Sequence, residues 1–233
     1  MATKKENSTA VALFGDKANI PAHLQTAAPL GNENVTSSDL KLPRLTLLQA
    51  LSPEIRSVEG AKPGLLFNNI TKELYESINV INLFFKKEFA IFKLRKLGGG
   101  LEGNYDTLAE ADAALKALDR PEDYEIVETD KHYCLMLDET GKAVSPIAIY
   151  MNSTKLTISK EWNSELQLVG KGVDRFASVW NVSSFTQSNR RNEQFENFSI
   201  QFMGWAPADL YAEAKAAYQG FVAPQQQQTA AAA

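Results

Sequence analysis

The segment FFKKEFAIFKLRKLGGG, residues 84–100, combines the features of a β-strand with those of a binding surface. Its first thirteen residues hold four aromatic and five basic side chains against one acidic side chain. Alternation along a strand places the odd-numbered residues 89–95 on one face and the even-numbered residues 90–96 on the other. The even-numbered face is predicted to pack in the core. The odd-numbered face either offers aromatic and basic groups to a ligand or is buried with a charged rim.

The rest of the sequence predicts more strands around this segment. INVINLFF (78–85) and FAIFKLR (89–95) are predicted as separate strands joined at 86–88, and 175–186 with 194–205 as a long hairpin. Other strands are predicted within 40–52, 65–70, 131–138 and 145–152, and helices at 107–119, 153–169 and 207–221. This order predicts an α+β fold with a mostly antiparallel sheet, an OB-like barrel with added helices.

Composition predicts three segments along the chain. Residues 1–36 are predicted as a flexible N-terminal arm, 37–222 as a single OB-like nucleic-acid-binding domain, and 223–233 as a disordered Gln/Ala tail. The single cysteine, Cys134, excludes a disulfide within the chain. Apolar runs stay below the 18 residues typical of a membrane span, so no contact with a membrane is expected.

Charge is segregated along the chain although the formal net charge is only −4. Residues 84–96 carry five basic side chains and one acid, and residues 150–191 carry six basic side chains and three acids. Residues 101–140 carry twelve acids against three basic side chains. Such segregation can build a basic face on an acidic protein.

Aromatic rings interleaved with cations favour single-stranded nucleic acid, because bases stack on rings and phosphates pair with cations. Phe89, Trp162 and Trp180 are the candidates for stacking, although buried tryptophans are the more common case. Arg190 and Arg191 lie at the predicted hairpin tip, where phosphate contact or simple solvation are the two interpretations. The predicted nucleic-acid-binding side chains are Lys86, Lys87, Phe89, Lys93, Arg95, Lys96, Lys155, Lys160, Trp162, Trp180, Arg190 and Arg191.

Catalytic motifs are not evident, and the protein is predicted not to be an enzyme. The only histidines are His23 and His132, and the sequence contains no H-E-x-x-H, Walker lysine or G-x-S-x-G pattern. Gly98, Gly100 and Gly103 match G-x-G-x-x-G in spacing, but no helix opens directly behind them as a dinucleotide site requires. No cofactor or metal is expected. A carboxylate-only metal nuclease is the open alternative within the enzyme class.

Four segments resemble a family of bacteriophage single-stranded DNA-binding proteins. The order of L-P-R-L-x-L-L-Q followed by G-A-K-P-G is distinctive, and the resemblance extends over about residues 31–220. The segments are GNENVTSSDLKLPRLTLLQALSPE (31–54), EGAKPGLLFN (59–68), FFKKEFAIFKLRKLGGGLEGNYDT (84–107) and STKLTISKEWNSEL (153–166). The resemblance implies an OB-like fold, no catalysis, and protection or annealing of single strands during phage replication or recombination.

The resulting expectation is a non-catalytic phage protein in the host cytoplasm that binds single-stranded DNA, with RNA as the alternative nucleic acid. Phage replication or recombination proteins are the expected protein partners, and a homo-oligomer is compatible with the sequence. The chain ends in glutamines and alanines rather than in an acidic tail, which favours strand binding over recruitment of enzymes. The alternative function is an interaction or regulatory factor whose basic strand docks on an acidic protein.

Overall fold

The computed structural model describes residues 30–35 and 39–231, with side chains as far as Phe221. Contacts divide the chain into two units, 1–41 and 42–233. In the described part of the first unit, the Gly31 amide donates a hydrogen bond to the Glu33 carboxylate at 2.9 Å. The predicted arm, 1–36, lies outside the described residues except for 30–35.

The second unit contains nine strands and four α-helices among its described residues. The strands are β1 (Arg44–Leu47), β2 (Leu66–Asn68), β3 (Leu74–Tyr75), β4 (Ile78–Lys93), β5 (Leu101–Tyr105), β6 (Tyr124–Leu137), β7 (Ala143–Asn152), β8 (Ser178–Ser188) and β9 (Gln194–Trp205). The helices are α1 (Glu54–Ser57), α2 (Leu108–Lys116), α3 (Lys155–Val169) and α4 (Ala208–Ala231). Short 3-10 helices occupy Arg95–Leu97, Pro121–Asp123 and Arg175–Ala177.

All nine strands form one curled sheet in the order β3-β2-β1-β7-β6-β4-β8-β9, with β5 added beside β4. Every pairing is antiparallel except that between β1 and β7. The fold is therefore α+β, with a mostly antiparallel half-barrel. This confirms the predicted fold class and the mostly antiparallel sheet.

Strand β4 corrects one prediction, because residues 78–93 form a single strand rather than two. Lys86, Lys87 and Glu88 pair in register with Lys131, Asp130 and Thr129 of β6. The three residues contain no glycine, proline or asparagine that would favour a turn. The strand bends instead at a bulge between Asn82 and Phe84, so its two halves belong to different parts of the curled sheet.

One side-chain amide joins the two sides of the curled sheet. The Gln49 side chain, just after β1, donates to the Glu196 carbonyl at 2.9 Å and accepts from the Glu196 amide at 3.0 Å. Nearby, the Ser184 hydroxyl of β8 donates to the Gly64 carbonyl at 2.6 Å. Gln49 thus satisfies backbone groups of β9 in the way that another strand would.

The core has two main clusters on opposite faces of the sheet. The inner cluster lies between the sheet and α3, where Trp162 and Leu166 pack against residues such as Val80, Ile147 and Trp180. The outer cluster lies under α4, where Leu210 and Ala214 pack against side chains of β4 and β6 that include Ile81, Leu83, Leu135 and Leu137. Helix α4 thus covers one part of the outer face.

The structure confirms one of the three predicted helix ends and differs from the other two. The predicted capping box before α2 is present, with reciprocal hydrogen bonds between Thr107 and Glu110 at 3.1 and 3.2 Å. Ser153 does not cap α3: it has a positive φ of 52°, and Thr154 is the N-cap without a side-chain hydrogen bond. Helix α4 continues past Gly220 to Ala231, into the segment predicted as a tail.

Candidate nucleic-acid interface

Part of the outer face of the sheet lies beside a groove of about 350 Å³ instead of beneath α4. The β-pairings place the relevant side chains on the same face: Phe92 beside Leu101, Ala90 beside Asn104, and Lys131 beside Tyr150. This surface crosses five strands and is here called the open face. Its defining residues, all of which line the groove, are Arg44, Ala90, Phe92, Leu101, Asn104, Lys131 and Tyr150.

Tyr150 lies near the middle of the open face between two cations. The Arg44 guanidinium carbon is 5.5 Å from its ring centroid and the Lys131 ammonium nitrogen is 4.9 Å away. Lys131 also forms an ion pair with Glu88 at 2.5 Å. Arg44 has no carboxylate within ion-pair distance in the described part of the chain. Tyr150 with Arg44 therefore offers an aromatic ring and a planar cation side by side.

Lys155 lines the same groove from the first residue of α3. Its side chain is partly buried, and this burial lowers the pKa of its ammonium below the ordinary value. The helix begins without a side-chain cap, so its first backbone amides also carry partial positive charge. The structure therefore brings Lys155, Arg44 and Lys131 together around one groove, against the single acid Glu88.

The end of β4 supplies a second group of cations at the rim of the open face. Arg95 and Lys96 are exposed in a 3-10 helix, and Lys93, two residues before Arg95, is the last residue of β4. The glycine turn that follows has positive φ at Gly98, Gly99 and Gly100 (99°, 67° and 123°) and leads into Leu101 on the open face. Within the described chain, none of the three basic residues forms an ion pair. They are available to phosphates.

Two other predicted phosphate contacts are already paired with acids. Lys86 forms an ion pair with Asp106 at 2.7 Å. Lys87 pairs with Glu128 and lies 3.7 Å from Asp130. The Glu128 hydrogen bond raises the pKa of Lys87. A phosphate would have to compete with these carboxylates, so Lys86 and Lys87 are weaker candidates than the rim cations.

The three aromatic residues predicted to stack on bases are buried. Exposure is 9% for Phe89, 1% for Trp162 and 0% for Trp180. Trp162 stacks on His132 at 4.5 Å and meets Trp180 edge-on at 6.2 Å, so both tryptophans belong to the core beneath α3. A base cannot reach these rings in the folded chain. Three other aromatic residues line the groove: Tyr150 and Phe92 are half-buried, whereas Phe198 is buried.

Both faces of this part of β4 are largely buried: Phe89 and Ala90 are 9% and 5% exposed. Phe89 and fully buried Ile91 lie on the side opposite the groove, whereas Ala90 and Phe92 line the groove. Helix α2 packs against β4, β5 and β6 and buries Ala111 completely. The burial of Ala90 agrees with the predicted core position of the even-numbered face, and the burial of Phe89 and Ile91 agrees with the second interpretation of the odd-numbered face.

The remaining predicted contacts are exposed and lie outside the groove. Lys160 is on the exposed side of α3, and Arg190 and Arg191 are at the tip of the hairpin between β8 and β9. Asn189 shapes that tip, since its side chain accepts a hydrogen bond from the Arg191 amide at 2.8 Å. These three cations are therefore exposed to solvent and lie apart from the open face.

A buried polar network joins the inner side of the sheet to α3. The Ser159 hydroxyl donates to Asp130 at 2.6 Å and lies 2.8 Å from His132 Nε2. His132 Nδ1 is 3.0 Å from the Asn82 side-chain amide, and Arg175 Nε donates to Asn82 Oδ1 at 2.8 Å. Arg175 Nη2 donates to Asn163 at 2.6 Å. The sequence analysis missed this network, since its members lie far apart in sequence.

The network resembles a catalytic triad in composition but not in geometry. Because the Ser159 proton points to Asp130, His132 Nε2 must donate to Ser159 and Nδ1 must accept from Asn82. A nucleophilic serine needs a histidine that accepts its proton. Burial, reinforced by the charge of Arg175, lowers the pKa of His132 to about 3. Ser159 and His132 are both 0% exposed, and their arrangement is structural.

Within the described residues, no group of three or more His, Cys, Asp or Glu side chains is placed to hold a metal ion. None of the helices in this part of the chain has the length and apolar character needed to cross a membrane.

Comparison with known proteins identifies a family. The chain matches the family model described as Pam3 phage gp34-like protein over residues 12–227. No curated protein and no solved structure matches it. Because the match extends over nearly the whole sequence, the chain belongs to the Pam3 phage gp34-like protein family.

Proposed function

We propose that this phage-family protein binds single-stranded DNA along the open face and its rim, without catalysis and largely without sequence preference. The observation that carries the proposal is the arrangement of Tyr150, Arg44, Lys131 and Lys155 around one groove. Aromatic rings and arginine planes accept stacked bases, and lysines neutralise phosphates. RNA offers the same two features and is the alternative ligand.

The geometry favours a single strand over a duplex. Tyr150 and Phe92 are half-buried within a sheet surface, so only an unstacked base can reach their rings. The phosphates of the same strand would then run toward Lys155 at one end and toward Arg95 and Lys96 at the other. Bases of any identity can stack, because each has a π-face.

The biological setting extends the proposal. Family membership supports a role in phage biology, and we propose protection or annealing of single strands in the host cytoplasm during replication or recombination. We also propose that the half-barrel is an OB-like fold. The joining of β9 to the other side of the sheet through Gln49 supports it, because a barrel also satisfies its edge groups.

A second function, docking on another protein, is favoured by a different observation. Strand β9 is at the edge of the sheet, and its Met203 and Trp205 side chains are 54% and 53% exposed. Large exposed side chains on an edge strand are typical of protein contacts. This function predicts a stable protein complex and no change in the mobility of an oligonucleotide.

Titration of a labelled oligo-dT with the full chain, followed by fluorescence anisotropy, tests the proposal. We expect saturable binding at low salt that a duplex competitor does not displace. The variant Tyr150→Leu should bind more weakly, and Phe185→Leu is a matched control because Phe185 is an exposed aromatic outside the groove. Absence of binding at low salt, or equal loss in both variants, would refute the open face as the site.

A further inference from the structure

A second cavity, of about 550 Å³, lies between β4, the 3-10 helix Arg175–Ala177 and α4. Its size falls within the range of about 300–1,000 Å³ that is typical of small-molecule sites. Aromatic side chains from three elements form much of its wall: Phe84, Phe85, Phe176 and Tyr218. Phe176 and Tyr218 pack with ring centroids 5.3 Å apart. The cavity is therefore well suited to a flat apolar group.

The chemically unusual member of this wall is Arg175. Its Nε and Nη2 atoms bind Asn82, Asn163 and His132, which are all neutral groups in this structure. In the described chain, no carboxylate lies within ion-pair distance of the guanidinium, and no hydrogen bond involves its Nη1 atom. Burial lowers the pKa of Arg175 to about 10, so the group still carries its charge at neutral pH.

A largely buried cation without a counter-ion is costly unless another group compensates it. Hydrogen bonds within the polar network satisfy the Nε and Nη2 atoms of the guanidinium. The one carboxylate of the network, Asp130, contacts Ser159 rather than Arg175. The cavity also contains Lys215, which is exposed on α4, and Asp174, whose carboxylate accepts a hydrogen bond from Tyr211 at 2.5 Å. The lining side chains therefore carry two positive charges and one negative charge, and the Arg175 guanidinium carbon lies 5.7 Å from the Phe85 ring centroid.

We propose that this cavity binds a nucleotide, whose phosphate contacts Arg175 Nη1 and Lys215 and whose base packs against the aromatic wall. An arginine fork matches the geometry of phosphate oxygens, and aromatic rings stack on bases of any identity. This site is separate from the open face, which takes its cations from other residues. It would give the protein a small-molecule ligand in addition to the strand.

Isothermal titration of the full chain tests the proposal with four probes: thymidine monophosphate, thymidine, inorganic phosphate and benzoate. We expect thymidine monophosphate to bind more tightly than the other three. Arg175→Lys keeps the charge but loses the fork, and we expect at least a tenfold loss of affinity. Lys215→Glu should weaken binding by about fivefold or more. Lys160→Glu is the matched control, since Lys160 is exposed on α3, and should stay within twofold.

Each other result would overturn the nucleotide site. If thymidine binds as tightly as thymidine monophosphate, the phosphate does not contribute to binding. If inorganic phosphate binds as tightly as thymidine monophosphate, the aromatic rings do not contribute. Tighter binding of benzoate would assign the cavity to carboxylates. No heat with thymidine monophosphate at millimolar concentration, or no loss in Lys215→Glu, would end the proposal even if Arg175→Lys fails to fold. Lys215→Glu should leave oligo-dT anisotropy unchanged at moderate salt, which separates this site from the open face.

Discussion

The salt dependence of oligo-dT binding is the prediction that the structure makes most quantitative. Five cations on the open face and its rim form no ion pair within the described chain: Arg44, Lys93, Arg95, Lys96 and Lys155. Each phosphate contact with a single strand contributes about −0.7 to the slope of log K against log salt. The wild-type slope should therefore be about −3.5. Affinity should fall roughly a hundredfold between 50 and 200 mM salt.

The double variant Arg44→Gln with Lys155→Gln removes two of these contacts from the groove. Its slope should fall to about −2.1, and the same change in salt should reduce its affinity only about twentyfold. Lys160→Gln with Lys171→Gln removes the same charge from exposed positions outside the groove and should keep the wild-type slope. Anisotropy titrations at four or more salt concentrations measure these slopes. Equal slopes in the two double variants, or a wild-type slope near zero, would refute the electrostatic assignment.

Three further outcomes follow from the same structure. Tyr150→Leu should weaken oligo-dT binding by about 1–3 kcal/mol, the usual contribution of one stacked base, with circular dichroism unchanged; unchanged affinity would contradict it. The folded-state pKa of His132 is about 3, below the ordinary 6.5, so the unfolded chain binds more protons between these values. The His132 contribution, up to about 5 kcal/mol, is therefore lost as pH falls from 6.5 toward 3, and His132→Gln should flatten this part of the denaturation curve; an equal pH slope in both proteins would contradict it. Gln49→Ala removes two hydrogen bonds to Glu196 and should cost about 1–3 kcal/mol of unfolding free energy, with faster hydrogen exchange at the Glu196 amide; continued protection of that amide would show that Gln49 does not join the sheet.

Local signals in the sequence predicted most of the elements. The capping box at Thr107 and Glu110, the hairpin of residues 175–205 and the two strands around ETGK are all present. Each of these depends on residues that are neighbours in sequence. The prediction of two strands within 78–93 was wrong because charged side chains do not by themselves end a strand, and β6 pairs with all three charged residues at 86–88.

The candidate site was predicted only in part. Lys93, Arg95 and Lys96 are available at the rim, and Lys155 lines the groove. Arg44 and Tyr150 were missed because their meeting depends on the parallel pairing of β1 with β7, which connects residues more than 100 positions apart. The signal that could have found them is the period of two along 145–152, which separates Tyr150 from the apolar Ile147, Ile149 and Met151, together with an arginine that begins a strand.

The sequence by itself determined the mostly antiparallel α+β class, the segregation of charge and the period of two along β4, since all three are local properties of composition and backbone geometry. Only the tertiary structure decided which side of β4 is covered, which lysines are neutralised by acids and which aromatic rings remain accessible. Helix α2 packs against β4, β5 and β6, and Glu128 of β6 reaches Lys87 although the two residues are 41 positions apart in sequence. Burial and ion pairing are properties of packing, and packing joins residues that the sequence keeps apart.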